Sequence, residues 1–214
     1  VSDESRRSTA GIGDETATLA FVATLRRLVD TARRLDAPAD VLARAAVLVA
    51  EAEAVLSPHR HDGLALQGAL RGPNPDFDRE NADDPGTYFP YSPIVGPLNP
   101  ISPPVPLHLD GDHMRGRTRI GAPWAGPPGL VHGGVVALLF DELLGSVNVS
   151  KGLGAMTGTL SVRYERGTPL DTDLELDAWI DRVEGRKIIT HGTITAGGLV
   201  TARAEGIFIR ARPS

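Results

Sequence analysis

The chain of 214 residues contains no cysteine. A disulfide framework, a cysteine-ligated zinc or iron–sulfur site and a thiol nucleophile are therefore all excluded. Aromatic residues are few, at 5%. Basic residues are outnumbered, with 22 Lys and Arg against 27 Asp and Glu and a net charge of −5, so the chain lacks the electrostatic footprint of a general nucleic-acid binder. No uninterrupted apolar run approaches the roughly 18 to 20 residues of a membrane span. Residues 11–16 are polar and acidic where a secretory signal would carry its apolar core. The expectation is a cytoplasmic protein with no nucleic-acid and no membrane partner. The Gly-x-Ser-x-Gly elbow and the phosphate-binding P-loop pattern are also missing, which argues against an α/β-hydrolase or a nucleoside triphosphatase.

Glycine (24) and proline (17) are plentiful, and their placement divides the chain. Residues 1–15 are small, polar and without period, the composition of a mobile tail. From Leu19 the apolar positions Leu19, Phe21, Val22, Leu25, Leu28, Val29, Ala32 and Leu35 follow helical spacing, with Arg26, Arg27, Arg33 and Arg34 on the other side. Pro38 closes this helix and opens a second one that runs to about Leu56. Residues 16–57 thus read as a helical hairpin, too small to fold securely alone, whose stripes must dock elsewhere. Eleven of the prolines fall within 57–106, so residues 58–104 read as an extended connector in polyproline and short-strand pieces. Tyr88, Phe89, Tyr91, Ile94, Val95 and Leu98 are its candidate anchors.

Residues 105–214 have a different texture. A loosely alternating stretch over 107–120 turns at Asp110-Gly111. A Gly/Pro loop at 122–129 leads to a segment over 135–149 that is apolar nearly all round, the mark of a helix buried on most faces. Four strand-like segments follow at 155–166, 173–183, 187–196 and 199–209, separated by turn signals. The spacing predicts an α+β architecture, an antiparallel sheet wrapped around one central helix.

The chemistry concentrates where that helix begins. Gly129-Leu130-Val131-His132-Gly133-Gly134 leads into it, and glycines at a helix start leave backbone N–H groups open to a carbonyl oxygen that gains negative charge. Asp141, about two turns on, stands in the run VVALLFDELLG, where an unpaired carboxylate is costly and general-base or nucleophilic work would be a reason for it. His132-Gly133-Gly134-x6-Asp141, with Thr157 sixteen residues later on a strand, resembles the hotdog-fold acyl-CoA thioesterases of the PaaI and THEM4 type. The resemblance covers about residues 105–212. It implies Asp141 as general base or nucleophile, Thr157 as its support, Gly133 as the main oxyanion donor, His132 as a shaping neighbour at the entrance and Gly134 beside the substrate. The Arg163-Tyr164-Glu165-Arg166 and Gly185-Arg186-Lys187 segments also fit that family's pattern. One departure stands out: some members place Asn six residues before the His, and this chain has Gly126.

At about 1.5 Å rise per residue, Asp141 and Gly133 lie roughly 12 Å apart along one helix, too far to act on a single carbonyl. The expectation is a homodimer with two composite sites, as the resemblance also implies, and a higher oligomer of dimers is compatible with it. The substrate would be an acyl-CoA, with coenzyme A entering only as part of it and no other cofactor. Arg163, Arg166, Arg186, Lys187 and Arg203 are candidates to hold its phosphates, or else belong to a solvated face. Glu142, about 100° round the helix from Asp141, reads as structural or interfacial. No metal site is expected: His108, Asp110 and Asp112 are split by the Asp-Gly turn, and His59, His61 and Asp62 form a lone cluster in the connector. The sequon at Asn148 falls in a buried helix end and is discounted. From another functional class, a non-catalytic module that binds acyl-CoA or acyl-carrier protein would keep the same pocket. Within the same fold, a dehydratase would need a nearby downstream His, and the one late candidate, His191, lies on a different strand.

Overall fold

The structure, a computed structural model, describes residues 10–60, 67–68, 83–103 and 105–210, with side chains from residue 15 onward. Two long helices come first, α1 (Ala10–Arg33) and α2 (Ala39–Leu56). Helix α1 thus begins inside the stretch whose composition suggested a tail. A single helical turn, α3 (Pro85–Tyr88), interrupts the connector, and Asp84 caps it by accepting from the Gly86 N–H at 2.9 Å. The remainder is β1 (Leu107–Asp110), β2 (His113–Thr118), α4 (Gly133–Ser150), β3 (Ala155–Tyr164), β4 (Leu174–Glu184), β5 (Lys187–Ala196) and β6 (Leu199–Arg210).

The strands form one antiparallel sheet in the order β1-β2-β4-β5-β6-β3. Alternation along the strands turns Met114, Leu174, Leu176, Ala178, Ile188, Ile194, Ala202, Ala204 and Phe208 inward, and α4 lies across them. Val136, Leu139, Phe140, Leu143, Leu144 and Val147 of α4 are at most 1% exposed. By length and composition α4 would also suit a membrane span, but here it is the core helix. A side chain at Gly206 would collide with the Phe208 ring, so glycine lets the helix approach the sheet there. This is the hotdog fold, an α+β sheet around a central helix with an N-terminal helical hairpin.

The connector differs from the extended form expected of it. Among the described residues it is a chain of tight turns with no strand, pinned to α4 by polar contacts as well as by buried Tyr88, Ile94 and Val95. Ser92, fully buried, donates to Glu142 Oε1 at 2.9 Å and accepts from the N–H groups of Ile94 and Val95. Tyr88 meets Ser150 Oγ at 3.0 Å, and burial pushes its phenol up to about 12, so it stays protonated. His61 and Asp62 lie outside the described residues.

The hairpin docks less than its stripes suggest. Helix α1 buries Val22 and holds the connector through Arg26, whose guanidinium donates to the carbonyls of Gly96, Pro97 and Asn99 at 2.7–3.2 Å. Arg34 joins Asp30 and Asp171. Helix α2 buries no residue at all in the single chain.

Candidate active site

His132 is the N-cap of α4. Its backbone is extended (φ −61°, ψ 133°), and its Nδ1 accepts the N–H of Gly134 at 3.0 Å. Nδ1 must therefore be unprotonated and the ring proton sits on Nε2. This contact takes the Gly134 amide out of play as a ligand donor. The Gly133 N–H, by contrast, has no hydrogen-bond partner among the described residues and stands at the positive end of the helix. The Tyr164 hydroxyl donates to the Gly133 carbonyl at 2.8 Å, fixing the helix start to the end of β3. The sequence offered Tyr164 only through its place in the Arg-Tyr-Glu-Arg segment.

The loop before the helix is equally constrained. The His132 N–H donates to the Trp124 carbonyl at 3.0 Å, and the Gly126 N–H donates to the Leu130 carbonyl at 2.9 Å. A side chain at Gly126 would approach His132 Cα within 2.7 Å. An asparagine cannot be accommodated at 126 without moving the cap, so this position supplies no side-chain donor.

Two turns along α4, Asp141 is partly buried and Thr157 Oγ1 donates to its Oδ1 at 2.8 Å. The hydroxyl orients the carboxylate and leaves Oδ2 open. Thr157 sits where the β3–β6 register shifts, between Thr157 and Thr159, a bulge that re-aims its side chain. Next to Asp141, burial pushes the Glu142 carboxyl up from its usual range, the Ser92 hydroxyl opposes that shift, and the charge of Asp141 adds to it. Glu142 faces the connector, a structural place.

The two halves lie at opposite ends of β3. Thr157 and Asp141 are near its start, and Tyr164 and Gly133 are at its end. Strand β3 is a sheet edge of 10 residues, mostly exposed, with Met156 at 81%. An unpaired edge of this length is a ready template for another strand.

The basic candidates fall into two groups. Arg163, Arg166 and Arg203 cluster at the end of β3: Arg163 and Arg203 face Glu165 from 3.9 and 3.8 Å, and Arg166 donates to the Val200 carbonyl. Lys187 opens β5 beside the last residues of β6, and Arg186, just before it, donates to the Arg210 carbonyl at 2.9 Å. His108, Asp110 and Asp112 are not gathered; Arg115 engages Asp110 and Lys151 engages Asp112. No cluster of three metal-ligating side chains occurs among the described residues.

A sheet of this order around one apolar helix defines the hotdog class. The thioesterase superfamily pattern matches residues 128–202, from the loop before α4 into β6. A crystal structure of a thioesterase superfamily protein is 34% identical, with a TM-score of 0.76 and 90% of each chain covered. Acyl-coenzyme A thioesterase THEM4 of Xenopus laevis is 33% identical over 90 residues, 41% of this chain and 40% of the relative. Human acyl-coenzyme A thioesterase THEM5 is 30% identical over 89 residues, 40% of this chain and 35% of the relative. The chain thus spans about 40% or less of the length of these curated relatives. It belongs to the thioesterase superfamily.

Proposed function

We propose that this protein hydrolyses an acyl-CoA thioester as a homodimer, each site combining Asp141 and Thr157 of one subunit with the Gly133 amide of the other. The observation that carries the proposal is the pair at the start of β3: a carboxylate oriented by the Thr157 hydroxyl at 2.8 Å, on the same helix as an unpaired N–H. About 12 Å of helix separates Asp141 from Gly133, so one chain cannot bring both to a single carbonyl. Antiparallel pairing of two β3 edges about a two-fold axis sets the start of one strand against the end of its partner. The same operation draws Arg163, Arg166 and Arg203 of one subunit towards Arg186 and Lys187 of the other. That juxtaposition supports a cationic rim for the CoA phosphates beside each site.

In the proposed step, Asp141 takes a proton from a water whose oxygen attacks the thioester carbon. The carbonyl oxygen, now an oxyanion, accepts from the Gly133 N–H at the helix start. Collapse of the tetrahedral intermediate breaks the C–S bond, and the CoA thiolate leaves. Dimerisation would cover the Asp141–Thr157 pair, which faces solvent in the single chain, and would strengthen each of these contacts. The acyl-coenzyme A named for the curated relatives supports the substrate class.

The test is CoA release from a panel of acyl-CoAs by the wild type and by Asp141→Ala, with dimer mass measured for both. Turnover lost in an intact Asp141→Ala dimer supports the enzyme. Wild-type binding without turnover would instead identify a non-catalytic acyl-CoA or acyl-carrier-protein module.

A further inference from the structure

A cavity of about 350 Å³ lies between α1, the turn at 121–124 and the connector at 100–103. Its walls are mostly apolar, from Val29, Ile101, Pro103, Pro123 and Trp124, with Arg119 among its polar lining. These residues are drawn from α1, the connector and the loop ahead of α4, all outside the segment that carries the family pattern. Resting on the thioesterase reading above, we infer that this cavity receives the acyl chain and sets its length.

Three observations lead there. The carbonyl of Trp124 holds the His132 N–H at 3.0 Å, which puts the cavity wall one residue from Gly133 along a rigid cap. Beneath α4 the single chain leaves no room for an acyl group whose carbonyl meets Gly133, because Val136, Leu139 and Phe140 are at most 1% exposed and fill that space. The cavity is also preformed. Arg26 ties α1 to three connector carbonyls, Arg34 ties it to Asp171, and prolines stiffen two of the walls. At about 30 Å³ for each water-sized group, the volume holds roughly ten methylenes, the scale of a medium-chain acyl group.

The test has two readouts on the full chain. Trp179 is replaced by Phe so that Trp124 is the sole indole, and free fatty acids from butyrate to palmitate are titrated against its fluorescence. The cavity predicts saturable quenching by decanoate, none by butyrate, and loss of the decanoate response in Val29→Phe, which narrows the wall from a half-exposed position. Val29→Phe should also lower the ratio of kcat/KM for decanoyl-CoA over butyryl-CoA at least tenfold. An unchanged ratio in a variant with wild-type Tm and mass overturns the inference, as does the absence of any decanoate response at Trp124. If no acyl-CoA is turned over, the enzyme reading fails alone, and the fluorescence titration still decides whether the cavity takes an aliphatic chain.

Discussion

Helices α2 and α4 have the same length, 18 residues, and both are rich in valine and leucine, yet α4 buries eight residues and α2 none. Composition does not separate them. The difference lies in what each has to meet. Helix α4 crosses a sheet whose alternate residues point at it, and several of its polar groups find a mate: Gly134 with His132, Asp141 with Thr157, Glu142 with Ser92, Ser150 with Tyr88. Ser146 Oγ and the Asn148 amide are buried without one among the described residues. Among the described residues, helix α2 faces α1 across a cavity lined by Phe21, Leu25, Leu28, Val49, Ala52 and Leu56. An apolar helix becomes core only where a complementary surface is supplied, and its few polar residues reveal where that surface is.

Substitutions should sharpen this contrast, beginning with the largest effect. Asp141→Ala should reduce kcat by about 10²- to 10⁴-fold, with the fold retained by circular dichroism. Gly133→Pro removes only the proposed oxyanion donor, because proline is suited to the first helical position and His132 already has the extended backbone that must precede it. It should cost about 10²- to 10³-fold in kcat with little change in Tm. In the core, Phe140→Ala should destabilise by about 3–5 kcal/mol in urea unfolding. Leu48→Ala, at an α2 position that is 65% exposed, should change stability by less than about 1 kcal/mol. A large loss at Leu48 would break the contrast by showing that assembly covers α2.

A pH-dependent effect concerns Glu142. Its folded-state carboxyl is shifted upward, chiefly by burial, so its contribution is fully present below the unfolded value and is lost as pH rises through the folded one. Glu142→Gln keeps an acceptor for Ser92 and removes the buried charge. It should raise stability by on the order of 1 kcal/mol at pH 7.5, an advantage that shrinks as pH falls through the ordinary glutamate range.

Much of the C-terminal half was legible in the sequence because its signals are local. Period-two alternation located β3 to β6 nearly to the residue, and Asp-Gly marked the β1–β2 turn, where Gly111 has φ +61°. The His132-Gly133-Gly134 step located the start of α4, and a family resemblance joined Asp141 to Thr157. What stayed hidden depends on partners distant in the chain. Tyr164 reaches Gly133 across 31 residues and Ser92 reaches Glu142 across 50, and no periodicity announces either contact. Arg166 and Arg186 read as candidates for phosphate contacts or for a solvated face, whereas each side chain donates to a backbone carbonyl of β6. The exposure of α2 was hidden for the converse reason: a helical stripe predicts that burial is needed, not that a surface is available.

The central claim is that each site is shared between two subunits, and subunit complementation tests it most directly. Asp141→Ala and Gly133→Pro are each nearly inactive alone; they are mixed, unfolded and refolded together. A shared site leaves one intact Asp141–Gly133 pair in every mixed dimer, so random pairing should restore about a quarter of wild-type activity. If both residues act within one subunit, every site in the mixture carries one of the two lesions. The mixture would then stay as inactive as its components, and the account would be contradicted.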